Sequence, residues 1–168
     1  MSSFNIAMKK DSKLIELLEK IDKRRSYYLY IASCYFTIEG ATKLLDRLYD
    51  TFKLDEVEIY IDKKSALKIG QKALQVWQDD YEGLTLYTVS HAGLFHSKAF
   101  ALVRYDDNEE VVGGSLVVGS ANLTGNGISS KFGNIECLLS TQEVTEISDF
   151  VESLEELDWK ELCKLETF

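Results

Sequence analysis

The chain has 168 residues, 45% of them hydrophobic, and a formal net charge of −9. That length supports one domain, residues 1–168, with a core of its own. No apolar stretch reaches the roughly 18 residues of a membrane span, so a membrane protein is not expected.

Hydrophobic spacing then divides the chain into alternating helices and strands. Residues 11–23 place Leu14, Ile15, Leu17, Leu18 and Ile21 at helical intervals. Tyr27–Tyr35 is β-branched and aromatic and reads as a buried strand. A helix is expected over Glu39–Phe52, a short strand over Val57–Ile61, and a helix over Ser65–Trp77 with Ser65 as N-cap. Leu84–Val89 is a strand. Residues 94–105 and 111–118 form a hairpin about Asp106-Asp107-Asn108. Thr124–Phe132 is loop or short helix, Ile135–Ser140 a strand, and Glu143–Leu157 an amphipathic helix. A last helical stretch is expected through Trp159–Leu165. The order implies an α/β fold, a mixed β-sheet sandwiched between helices on both faces. Ligands of such sheets sit at strand ends.

Charge and cysteines narrow the setting. Residues 141–168 hold nine carboxylates against Lys160 and Lys164, so the acid belongs mainly to the C-terminal helix. Its outer face is expected to be solvated. Lysines and arginines gather at residues 9–25 and at Lys63, Lys64, Lys68 and Lys72, two clusters that suit either a phosphate backbone or ordinary helix faces. Cys34, Cys137 and Cys163 form no C-x-x-C pair and lie in apolar segments, as buried reduced thiols would. With no apolar leader in MSSFNIAMKKDSK, a cytoplasmic protein is expected.

The chemistry concentrates in FHSKAFALVRYDDNEEVVGGSLVVGSANLTGNGISSKFGNIECLL, residues 95–139. On a strand, His96 and Lys98 project together, with Phe100 and Leu102 continuing the same face inward. An imidazole is a competent nucleophile toward phosphorus, and an ammonium beside it neutralises a phosphate oxygen. Asn122, in the turn Gly119-Ser120-Ala121-Asn122, offers an NH2 to a second oxygen, and Ser120 a hydroxyl. Glu136, in an apolar run, needs a partner such as an imidazole N–H. His91 reads as a solvated loop residue or, alternatively, a substrate contact near the pocket mouth. Tyr35 and Phe36 either stack on a base or sugar or close the core beneath their loop.

This segment resembles the phospholipase D superfamily, whose signature is H-x-K, four residues, Asp, then a G-S/G-x-N turn and a downstream Glu. The likeness covers roughly residues 94–140 and departs once, with Val103 where the signature has Asp. The run SLVVGSANLTGNG leading into NIE is similar to the catalytic domains of restriction-type members. The resemblance implies a metal-independent endonuclease without cofactor. It implies His96 as nucleophile through a covalent phosphohistidine, Lys98 and Asn122 as phosphate clamps, Glu136 as orienting carboxylate and Ser120 as a substrate contact. It further implies that two H-x-K elements build one site. This chain carries one and shows no internal repeat, so a homodimer with a shared site is expected. Nucleic acid is the expected partner, DNA before RNA, and no membrane. The alternatives are a phospholipase or phosphatidyltransferase, and a catalytically inactive dimeric relic that binds nucleic acid or protein.

Overall fold

Strand β2 (Ser26–Ser33) lies at the centre of the architecture in the computed structural model, which describes residues 5–9, 14–90, 95–128 and 136–162. In chain order the other elements are β1 (Asn5–Lys9), α1 (Leu14–Leu18), α2 (Ile38–Thr51), β3 (Lys53–Asp62), α3 (Lys63–Ile69), α4 (Gln71–Asp79), β4 (Leu84–Val89), β5 (Lys98–Tyr105), β6 (Val111–Gly119), α5 (Gly125–Ile128), β7 (Glu136–Thr141), α6 (Val144–Glu155) and β8 (Trp159–Glu161). The strands form one sheet in the order β1-β7-β6-β5-β2-β3-β4-β8. β2, β3 and β4 run parallel through helical crossovers, and all other pairs are antiparallel.

Alternation along the strands divides the core between two faces. On one, Leu29, Ile31, Ile59, Leu86, Phe100, Leu102 and Val117 pack with Leu14, Leu17 and Leu18 of α1 and Leu44, Leu45 and Leu48 of α2. Leu74 and Trp77 of α4 join them. On the other, Ala99, Ala101, Val103 and Leu116 meet Ile147 of α6, and Ala32, Tyr60 and Val89 meet Leu154. Small residues at 32, 99 and 101 let α6 approach the sheet closely. Helices therefore cover both faces, as the sequence implies. No helix among the described residues is long and apolar enough to cross a membrane.

Several elements differ from expectation, each for a local reason. The first helix ends at Leu18 rather than 23, because Asp22 turns its carboxylate onto the Arg24 backbone N–H at 3.1 Å and draws the chain into β2. The helix expected over Ser65–Trp77 is two helices broken at Gly70, whose φ of +95° is left-handed. Its N-cap is Asp62, which accepts from Lys64 N at 2.9 Å, while Ser65 instead donates its hydroxyl to Cys34 O at 2.8 Å. Trp159–Glu161 is strand, not helix: it pairs Val89, Thr88 and Tyr87 and satisfies the free edge of β4. β1, not foreseen, covers the opposite edge by pairing with β7.

The hairpin turn stands as expected, with Asp106 Oδ1 accepting from Asn108 N at 2.9 Å and Glu110 N at 3.0 Å. Cys34 is buried, but Cys137 is exposed. It sits two residues before Leu139, which aligns through Val118 with Ala99 at the limit of what α6 covers. Cys163 and His91 lie outside the described residues.

Candidate active site

Register brings the chemistry to one end of the sheet. Lys98 at the start of β5 faces Ser33 at the end of β2, Ala99 pairs Val118 near the end of β6, and Gly119 pairs Leu138 near the start of β7. The C-terminal ends of the parallel strands β3 and β4 point the same way. This is the end at which α/β sheets place ligands.

The strand itself begins at Lys98, so His96 lies in the loop ahead of it rather than on the strand. Cys34 N donates to Ser97 O at 2.9 Å and holds that loop in line with the ladder. Asp62 Oδ2 accepts from Phe95 N at 3.4 Å on the other side. The expected juxtaposition results: Lys98 Nζ is 3.2 Å from Nδ1 and 3.1 Å from Nε2 of an exposed His96 ring. Lys98 is half-buried, on the face of β5 that carries Phe100 and Leu102 into the core.

Asn122 is set by the turn that follows β6. Ser120 N donates to Cys137 O at 3.0 Å, and Ser120 Oγ accepts from Cys137 N at 2.9 Å, which locks the turn to β7. Ala121 and Leu123 are fully buried on either side of Asn122. Leu123 N donates to Ser33 Oγ at 2.9 Å, and Leu123 O accepts from Thr37 N at 2.9 Å. Close packing completes the frame. A Cβ at Gly127 would overlap the Asn122 carbonyl, and one at Gly40 would overlap the Thr124 backbone. Within it, the Cys34 thiol donates to Asn122 Oδ1 at 3.1 Å, directing the amide NH2 away from the thiol.

Ser33 and Cys34 are the residues that sequence reasoning missed. Their signal was a polar pair ending a buried strand, visible only once β2 is known to face Lys98. Ser120 is exposed, and its oxygen serves the β6–β7 clamp. Glu136 is the first residue of β7, with its backbone opposite Lys9 and two residues from Leu138, hence at the same sheet end. Its side chain lies outside the described part. Tyr35 and Phe36 separate: Phe36 is buried edge-on to Trp77 at 5.4 Å, while Tyr35 is 48% exposed. Beside the site, a cavity of about 490 Å³ is lined by Asp62, Lys63, Lys64, Val89 and Ser90 among others. Among the described residues no group of three or more His, Cys, Asp or Glu side chains could hold a metal ion. Val103 is fully buried under α6, on the sheet face opposite Lys98.

The sheet order and two-sided helical cover give the chain a phospholipase D-like fold. Among solved structures, the chain is similar to Nuc from Salmonella typhimurium, a phospholipase D family member. The two share 15% identity at a TM-score of 0.60, over 96% of this chain and 98% of that one. It is also similar to NucT from Helicobacter pylori, at 19% identity and a TM-score of 0.56, over 92% of this chain and 98% of that one. TrmBL2, an archaeal chromatin protein, aligns at 12% identity and a TM-score of 0.50, over 91% of this chain and 50% of that one. No family model matches the sequence, and no curated protein matches it.

Proposed function

We propose that the chain is a metal-independent phosphodiesterase acting on nucleic acid, an endonuclease whose active site is shared by two copies. The observation that carries this reading is the His96–Lys98 pair, set at the sheet end where Asn122 is held by its turn. A phosphate entering there draws the Lys98 ammonium to a non-bridging oxygen and bares a ring nitrogen of His96. That nitrogen attacks phosphorus in line: the P–N bond forms as the P–O bond to the leaving nucleoside breaks. Lys98 and the Asn122 amide stabilise the equatorial oxygens as charge spreads over them. Ser120 adds a hydroxyl contact, and Glu136 orients an imidazole through its N–H.

The leaving oxygen needs a proton, and no second H-x-K exists in the sequence. His96 of the partner subunit supplies it as imidazolium. As imidazole it then takes the proton of the water that cleaves the phosphohistidine. Nucleic acid is the favoured substrate on two grounds. Lys63 and Lys64 line the cavity next to the site, suited to flanking phosphates. The TrmBL2 structure, on a similar fold, shows a mode of DNA binding.

The reading is tested by incubating the protein in EDTA with labelled single- and double-stranded DNA and RNA. Cleavage of one of them is the expected result, DNA before RNA. Release of a lipid headgroup from phosphatidylcholine vesicles, with every nucleic acid left intact, overturns it.

Sharing of the site has its own signature. Wild-type chains are randomised with His96→Ala chains by partial unfolding and refolding at equal amounts. A site that needs both histidines retains about a quarter of the activity, whereas independent sites retain about half. A linear dependence on the wild-type fraction sinks the shared site.

Cys34 makes a smaller prediction. Cys34→Ala leaves Asn122 Oδ1 without its thiol donor. Cleavage is expected to fall roughly fivefold, chiefly in kcat, for a bond worth about 1 kcal/mol. Cys34→Ser keeps a donor and restores most of it. Equal losses in both variants would make Cys34 a packing residue only.

A further inference from the structure

At the end of the sheet away from His96, a cavity of about 430 Å³ opens between the α1–β2 connection and the ends of β5, β6 and β7. Its walls include Lys20, Arg25, Tyr27, Arg104, Gly113 and Gln142. The volume falls in the range of small-ligand sites, about 300–1,000 Å³.

Arg104 is seated by backbone. The β5–β6 ladder shifts register between Arg104 and Tyr105, a bulge that leaves Val112 out of the pairing. Its carbonyl accepts from Arg104 Nη2 at 3.2 Å. Gly113 is opposite in register, and a Cβ there would come within 3.2 Å of Nη2 and 3.7 Å of Nε, so the guanidinium rests on a residue without a side chain. One of the five guanidinium donors is thereby used, and the fork stays oriented.

Among the described residues, only Arg25 of this cavity's cations reaches a carboxylate. The carboxylate in its wall, Asp22, is held through both oxygens by Arg24 at 2.9 and 3.1 Å, with Arg25 Nε further off at 3.8 Å. Among the described residues no carboxylate pairs with Lys20 or Arg104. Gln142 Nε2 donates to Lys20 O at 3.5 Å and adds an amide to the same wall. Clustered cations, with Lys20 and Arg104 lacking a carboxylate partner among the described residues, run against the overall field of a chain of net charge −9.

We propose that this cavity is a second, non-catalytic oxyanion site that takes the phosphate of a small phosphorylated ligand. The Arg104 fork receives two oxygens, and Lys20 and Arg25 meet the remaining charge. The site is separate from the catalytic one. Lys98 and Arg104 lie six residues apart along β5, about 20 Å at strand spacing, and at opposite sheet ends. That separation favours a free ligand as occupant over the part of a strand held at His96. This assignment stands whether or not the chain cuts nucleic acid.

The test is a titration of the full chain with pyrophosphate, followed by the backbone amide resonances of Gly113 and Gly114 and the Nε–H resonance of Arg104. Saturable shifts at these groups are expected. Lys20→Gln, Arg25→Gln and Arg104→Gln are each expected to weaken binding about tenfold, while Lys98→Ala leaves it unchanged. Lys20 and Arg25 are exposed, so their variants keep the proposal testable even if Arg104→Gln fails to fold. Absence of saturable shifts, or equal affinity in the Lys20 and Arg25 variants, overturns the site. A 5′-phosphorylated oligonucleotide that displaces pyrophosphate at equal or lower concentration overturns the small-ligand assignment and makes a polynucleotide end the occupant.

Discussion

Replacing His96 with alanine is expected to abolish metal-free cleavage, with a loss of at least about 10⁴-fold. The size follows from the chemistry the ring performs. In the proposed mechanism it forms the bond to phosphorus, and in the partner subunit it protonates the leaving oxygen, so one substitution removes nucleophile and acid together. The sequence has two histidines, and only His96 belongs to an H-x-K. Lys98→Ala and Asn122→Ala remove charge stabilisation but spare the nucleophile, and about 10²–10³-fold losses are expected for each. A second readout separates chemistry from folding. Stopping a reaction on labelled substrate in alkali is expected to trap a base-stable, acid-labile phosphoryl label on the wild type and none on His96→Ala. If His96→Ala cleaves within tenfold of wild type in EDTA, the phosphohistidine mechanism is wrong.

The residues that make this prediction possible were readable in the sequence for a specific reason. His96 and Lys98 are two apart ahead of an apolar run, and any strand-like path from there brings them to one face. Their contact survives although the regular strand begins only at Lys98. The turn bearing Asn122 was legible from its glycines, and two of those positions prove to be close backbone approaches, Gly119 against the Cys137 carbonyl and Gly127 against that of Asn122. Cys34 and Ser33 were not legible. Their roles come from pairing between strands far apart in sequence, 65 residues between Ser33 and Lys98, and a single sequence does not encode register in a local pattern.

The misread elements have the same origin. Trp159–Glu161 carries the apolar spacing of a short helix, but the open edge of β4 takes it as a strand. Asp62 and Ser65 are both plausible caps, and Ser65 lost the role because its hydroxyl is needed at Cys34 O, across the crossover. Local propensity read the long, strongly periodic elements, α2 and α6, to within a few residues. It failed where a free sheet edge or a distant carbonyl decided the matter.

Val103 ties fold and site together, because restoring the signature aspartate there is expected to damage the protein rather than improve it. Val103 is fully buried with Ala99, Ala101, Leu116 and Ile147, on the face of β5 that α6 covers. Its neighbours across the ladder are Tyr28 and Gly114. Two hydroxyls on that face, those of Tyr30 and Tyr105, are already bonded to one another at 3.0 Å. Burial holds both phenols well above their ordinary range, which marks the face as poorly solvated. A carboxylate introduced by Val103→Asp is desolvated among apolar side chains, at a cost of about 2–5 kcal/mol. For a chain of this size that lowers the melting temperature by roughly 5–20 °C. The deficit carries a pH signature. Desolvation raises the folded-state pKa of the new carboxyl above its unfolded value, so the penalty is full at neutral pH and shrinks as pH falls through that raised pKa. Val103→Asn, uncharged and of similar shape, is expected to lose less and to show no such dependence. Urea unfolding of the three proteins at pH 5 and pH 8 measures both effects. A Val103→Asp protein as stable as wild type and more active would place the 103 side chain in the catalytic machinery, against its position beneath α6.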